Sequence, residues 1–198
     1  MRGMPTTSRP DPMKTVSSID GIVHRWPFLS QKLARDLVHK YGFPHEASDD
    51  KFVWLYNDPW ARTTLYRDGV YHSFPKPHLD ALEQQLDYFV PINKVRLVES
   101  YSASLRIDQG RRQLTVRCAN EAMNFLIVNL AHEIALGLLT PDQARLRQRE
   151  VLAALRLRWP EPLTESLQFT QPAAVYGAPE SGESIAPNAR VLGPFRKP

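Results

Sequence analysis

The sequence predicts an α+β fold: a single domain with an antiparallel sheet of two hairpin units, helices packed on one face of it, and extended proline-rich tails at both ends. Three observations carry this. The stretches 51–72 and 103–118 alternate apolar and polar residues around turn signals. The stretches 121–137 and 140–158 have helical spacing behind clear caps. Ten of the seventeen prolines fall within the first 12 and the last 39 residues, where they resist regular structure. The expected organisation is an irregular tail over 1–26, an α+β core over 27–159 and an extended strap over 160–198. With 198 residues, 42% of them hydrophobic, the chain supports one core, because a domain of ~150 residues buries roughly two thirds of its unfolded surface.

The elements follow in order. Ser30 is the expected cap of a first helix, with Leu33, Leu37, Val38 and Tyr41 on one stripe and Gly42 and Pro44 closing it. "KFVWLYNDPWARTTLYRDGVYH" reads as a three-stranded meander: a strand at 51–56, a four-residue loop, a strand at 61–67, an Asp68-Gly69 turn and a short third strand. Leu79, Leu82, Leu86 and Phe89 then recur at helical spacing up to Pro91, and a short helix is expected at 93–101. "ASLRIDQGRRQLTVRC" is a second hairpin, with Leu105 and Ile107 opposite Leu114 and Val116 across a Gln109-Gly110 turn. Asn120 caps "EAMNFLIVNLAHEIALG", apolar on nearly every side and therefore the expected central helix. Thr140-Pro141-Asp142-Gln143 is a capping box with proline at the first helical position, and its helix runs to about Arg158.

Composition restricts the function classes. A net charge of +4 from 25 basic and 21 acidic residues is too mild an excess to argue for nucleic acid. No apolar run approaches the ~18 residues that a membrane span needs. Cys118, the one cysteine, has no partner in the chain for a disulfide, and the N-terminus has no apolar signal core, so a cytoplasmic location is expected. Phosphate loops, dinucleotide fingerprints and nucleophile elbows do not occur in the sequence.

"HSFPKPHLDALEQQLDYFVP", followed by "RCANEAMNFLIVNLAHEIALG" and "SLQF", resembles a group of uncharacterised bacterial proteins with H-x-F-P-x-P-H-x-D-x-L-E and R-C-x-x-E-x-M-N-x-L motifs. The resemblance covers about residues 30 to 170 and implies no activity.

The chemistry-bearing residues allow two readings. His72, His78 and Asp80, with Arg117, Glu121 and Asn124, form a candidate polar pocket if the sheet brings them together, as in a small enzyme or ligand-binding domain. For a metal, His72 and His78 supply two ligands where three or four are needed; Asp80, His45 or His132 are the available additions. The alternative for 72–80 is structural: Pro75 and Pro77 hold the chain extended, and Pro77 to Asp80 begin the next helix, with Asp80 favouring its dipole. Because the ligand count is short, no metal and no cofactor are expected. His132 and Glu133 lack a second histidine at zincin spacing and read as a satisfied polar edge. Cys118 continues the inward alternation of Leu114 and Val116 and is expected to be buried rather than nucleophilic. Arg145, Arg149 and Arg156 share one helical stripe, and Phe169, Tyr176, Leu192 and Phe195 are spaced apolar anchors in the strap. On this basis the leading expectation is a non-catalytic binding or assembly protein, an accessory subunit that contacts a protein partner or a second copy of itself through Arg145, Arg149, Arg156, Phe169, Tyr176 and Phe195.

Overall fold

The computed structural model describes residues 19–72 and 77–170. A short helical segment over 19–23 leads into α1 (Phe28–Tyr41). The strands β1 (Glu46–Ala47), β2 (Lys51–Asn57), β3 (Trp60–His72) and β4 (His78–Asp87) follow, then α2 (Val95–Tyr101), the hairpin β5 (Leu105–Asp108) and β6 (Gln113–Cys118), α3 (Glu121–Ala135), α4 (Pro141–Arg156) and a 3-10 turn at Pro162–Thr164. All six strands join one antiparallel sheet in the order β1-β2-β3-β4-β6-β5.

Register defines the two faces of this sheet. Phe52 pairs with Leu65, Leu65 with Leu82, Leu82 with Cys118, Gln84 with Val116 and Leu86 with Leu114, so one face carries a nearly continuous apolar surface. The helices cover that face in two clusters. Ile19, Val23, Trp26, Leu33, Ala34 and Leu37 pack against Phe52, Trp54, Leu65 and Leu82. Helix α3 packs Phe125, Leu126, Leu130 and Ile134 among Trp60, Leu86, Leu105, Leu114 and Val116, with α2 and α4 against it through Val98, Tyr101, Ala144 and Val151. The opposite face is mainly polar, with Arg62, Gln85 and Thr115 in one row, Thr64, Glu83 and Arg117 in the next, and Tyr66 opposite Lys51. Among the described residues, no helix is long and apolar enough to cross a membrane.

Several expectations hold. The second hairpin has the expected register, Leu105 with Val116 and Ile107 with Leu114. Asn120 caps α3 by accepting from the Met123 amide at 3.0 Å. At α4, Thr140 and Gln143 exchange both bonds of a capping box.

Others are corrected. The stretch 78–87 is strand β4, not a helix: Leu79 and Phe89, two of the four residues of the supposed helical stripe, are exposed, and the inward positions are Asp80, Leu82, Gln84, Leu86 and Tyr88. Two of those five are polar, which broke the alternation a strand is recognised by. Asp68 and Gly69 do not close a turn; β3 runs through them to His72 with a bulge. The first hairpin turns tightly at Asp58-Pro59, whose peptide bond is cis, rather than in a four-residue loop. Ser30 lies inside α1, which begins after Pro27; Ser30 is buried and donates to the Arg67 carbonyl at 2.8 Å. The segment 19–26 is not irregular, since Ile19, Val23 and Trp26 are core residues. The start of the strap is docked: Asn129 Nδ2 on α3 donates to the carbonyls of Leu163 and Ser166 at 2.9 and 2.8 Å, and its Oδ1 accepts from the Gln168 amide at 2.8 Å.

Candidate functional site around His72, His78 and Asp80

The bulge in β3 is what assembles the site. Leu65 pairs with Leu82 and Val70 with Asp80, so four residues of β3, 66–69, face the single residue Ala81 of β4. Three extra residues are an odd number. Because side chains alternate between faces, an odd insertion transfers the rest of β3 to the other face. His72, which would otherwise point away from the helices, therefore shares the helix side with its pair partner His78 and with Asp80. Gly69 permits the close approach: a Cβ there would lie 2.9 Å from Leu79 Cβ. Ser30 Oγ on the Arg67 carbonyl and the Arg67 amide on the Asp50 carbonyl hold the bulged segment in place.

At the end of the sheet, His72 Nδ1 and His78 Nε2 each lie 3.1 Å from a different oxygen of the Asp80 carboxylate. The rings meet edge on at 5.6 Å between centroids. Donor atoms of all three residues lie within 4.8 Å of one another. The Asp80 side chain is only 5% exposed, and its Oδ1, although within ion-pairing distance of His78, accepts no aligned hydrogen bond among the described residues. Burial pushes the Asp80 carboxyl up, and the two imidazoles and Arg117 pull it down without cancelling that effect.

The imidazoles face a cleft of about 450 Å³ between the sheet end and helices α2, α3 and α4. Its wall is apolar where Tyr101, Met123, Ile127 and Leu152 contribute, and polar at Ser102, Ser104, Gln148, Arg145 and Arg156. Cys118 lies in this wall; it is 6% exposed, and burial pushes its thiol up to about 12, so it is an inert wall residue as expected.

Of the six candidate pocket residues, the structure thus unites three. Arg117 serves them from the polar face: Nε donates to the Asp80 carbonyl at 3.0 Å, Nη2 reaches the Asp68 carbonyl at 3.5 Å, and the guanidinium stacks 4.1 Å from the Tyr66 ring. It ties the bulge to β4. Glu121 and Asn124 belong to a different, buried network. Glu121 accepts from Lys40, Tyr41, Trp60 Nε1 (2.9 Å) and Gln84 Nε2 (2.9 Å); Asn124 Nδ2 donates to Gln84 Oε1 at 2.9 Å, and Gln84 reaches Thr63 at 3.2 Å. Burial raises the Glu121 pKa, but the bonds from Lys40, Tyr41 and Gln84 outweigh it and the net shift is downward. Gln84 separates Leu82 of one core cluster from Leu86 of the other, so this network sits at their junction.

Comparison with protein-family models, curated proteins and solved structures finds no match.

The remaining candidates are accounted for one by one. Arg145 pairs with Asp142 at 2.6 Å and donates to the Ser100 carbonyl while lining the cleft. Arg156 is exposed at the cleft and has no ion-pair partner among the described residues; Arg149 is exposed elsewhere on α4. Phe169 is not a free anchor: it stacks on His132 at 3.9 Å and meets Tyr88 edge on. Tyr176 and Phe195, and with them the strap beyond 170, lie outside the described residues. His132 accepts or donates at Nδ1 with Tyr88 at 2.7 Å, and burial pulls its pKa down to about 4, the satisfied polar edge that was expected. His45 is spent on the Leu55 amide at 3.1 Å. Sequence reasoning missed the Asp68-Gly69 bulge and Gln84. Reading His72 and His78 as the two ends of a hairpin, rather than His78 as the start of a helix, would have placed them opposite each other.

Proposed function

We propose that this chain is a small-ligand-binding domain, and that its ligand is an anionic molecule with an apolar body bound in the cleft between the sheet end and α2, α3 and α4. The observation that carries the reading is the meeting of His72, His78 and Arg156, which has no ion-pair partner among the described residues, on one cleft whose remaining wall includes Tyr101, Met123, Ile127 and Leu152. Ligand sites have this constitution: mostly apolar lining with a few polar groups that fix orientation. The Arg156 guanidinium favours negative charge, the polar edge of the cleft orients it, and the apolar wall accepts a chain or ring. The direct test is calorimetric titration with octanoate, a carboxylate of the right character. The expected result is saturable binding at one site, weakened at least about 5-fold by Arg156→Ala as a charge-assisted contact is lost. Absence of saturable binding, or binding indifferent to Arg156→Ala and to Leu152→Asn, overturns it.

An accessory-subunit role, with a protein partner or a second copy, is the second reading. It is favoured by Leu157 and Trp159, 62% and 52% exposed just beyond α4 and next to Arg156. Sedimentation velocity tests the second-copy form: a concentration-dependent dimer lost in Trp159→Ser supports it, and a monomer at every concentration removes it.

A further inference from the structure

We infer that His72, His78 and Asp80 form a binding site for one divalent first-row transition metal ion, held at the wall of the cleft with its open coordination positions toward the ligand. The inference deepens the proposed ligand-binding role and its last clause rests on that role.

The chemistry of the donor set is the first argument. Two neutral imidazole nitrogens and one carboxylate are the ligands of the facial two-histidine, one-carboxylate arrangement, which leaves positions free for water or an exogenous ligand. Geometry is the second. With bonds of about 2.1 Å, neighbouring ligands stand about 3.0 Å apart in an octahedral site and about 3.4 Å apart in a tetrahedral one. Each histidine nitrogen is 3.1 Å from its carboxylate oxygen, and all donors lie within 4.8 Å of one another, so closing onto an ion needs small rotations only. The third argument is the Asp80 carboxylate itself. It is nine-tenths buried, yet among the described residues Oδ1 has no aligned donor, and a buried acceptor left short of partners is costly. A cation between the three side chains satisfies it.

The surroundings separate this cluster from an accidental one. Each ligand is placed by the backbone: His72 and His78 are paired across β3 and β4, and Asp80 lies two residues along the same strand and on the same face. Arg117 binds the Asp80 and Asp68 carbonyls from behind, fixing the carboxylate-bearing residue against the bulge. A site with both imidazoles on the cleft and the carboxylate buried at the sheet points its vacant positions into the cleft. There the anionic head of a ligand gains a metal bond in addition to Arg156.

The test uses the full chain stripped with a chelator and titrated with cobalt(II), followed by its visible absorption and by calorimetry. One ion per chain with a Kd of about 1 µM or tighter is expected, with at least about 100-fold weakening in His78→Ala and in Asp80→Asn, and none in His132→Gln. Asp80→Asn keeps the shape of the side chain, so it remains informative if His78→Ala does not fold. Circular dichroism establishes that each variant is native. Addition of octanoate to the cobalt form is expected to shift the visible bands. No cobalt binding, or binding unchanged by both variants, overturns the metal site. Octanoate is titrated separately into the metal-free chain: binding there without cobalt binding defeats the metal inference alone, and cobalt binding with unshifted bands and no octanoate binding defeats the cleft reading alone.

Discussion

Glu121→Ala is expected to destabilise the fold by about 2–4 kcal/mol, and the figure follows from which donors the carboxylate leaves behind. Four donors converge on it. Lys40, half exposed, turns to water at little cost, and Tyr41 is partly exposed as well. Trp60 Nε1 has no such escape, since the side chain is 1% exposed and the carboxylate is its acceptor; leaving such a donor unpaired costs about 1–3 kcal/mol. Gln84 is fully buried but keeps Thr63 as a partner for the same nitrogen, so its loss is smaller. Glu121→Gln retains an acceptor oxygen and the volume, and is expected to cost about half as much. The charge adds a pH signature. The Glu121 pKa is depressed in the folded state, so its contribution is fully present above the ordinary carboxyl value near 4.3 and is lost as pH falls through the lower folded value. The difference between wild type and Glu121→Gln should therefore be present at pH 7 and shrink toward pH 3. Urea denaturation followed by tryptophan fluorescence measures all of this, with Trp60 as a reporter beside the mutated side chain. A loss below about 1 kcal/mol for Glu121→Ala, or a Gln variant less stable than the Ala variant, would refute this account of the Glu121 network.

Two further outcomes test the core and the docked strap. Leu130 on α3 is fully buried, so Leu130→Ala should cost about 2–5 kcal/mol in the same assay; a cost under about 1 kcal/mol means the core is misplaced. His132 has a folded pKa near 4 against an ordinary value of 6.5, so its neutral form stabilises the fold fully above 6.5, and up to about 3 kcal/mol is lost as pH falls toward and below 4. Stability curves from pH 7 to 4 should be steeper for wild type than for His132→Gln, and parallel curves would dismiss the contribution.

Legibility in the sequence tracked how each element is stabilised. Helix α3 and the β5-β6 hairpin were readable because their inward residues, such as Leu126, Leu130, Leu114 and Val116, are apolar at the period the element imposes. Strand β4 was not. "DALEQQLD" is composed of good helix formers, and its inward positions Asp80 and Gln84 are polar because His72 and His78 meet Asp80 at the sheet end and Glu121 and Asn124 meet Gln84 from the helix layer. Partners 37 and 40 residues away decided the burial of Gln84, and the cross-strand register of β3 and β4 decided that of Asp80; no local pattern contains either. Asp68-Gly69 between β-like stretches is a strong hairpin signal, and on sequence alone it reads as a turn. What overrode it was the length of β4, which continues to pair on both sides of the bulge.

The same bulge explains why the candidate site was visible as a cluster of residue types but not as a geometry. His72, His78 and Asp80 are close in sequence, and any hairpin joining β3 and β4 would bring them near one another. Whether they share a face depends on the parity of the residues between Leu65 and Val70, a count that becomes meaningful only when the register on both sides is known. With an even excess, His72 would lie on the polar face beside Arg117 and Tyr66, and the cleft would present His78 alone. The excess is three, and Gly69 accepts the backbone approach that this requires. Gly69→Ala sets a Cβ against Leu79, next to both His78 and Asp80, so the strain of relieving the contact falls on the site before it falls on the core.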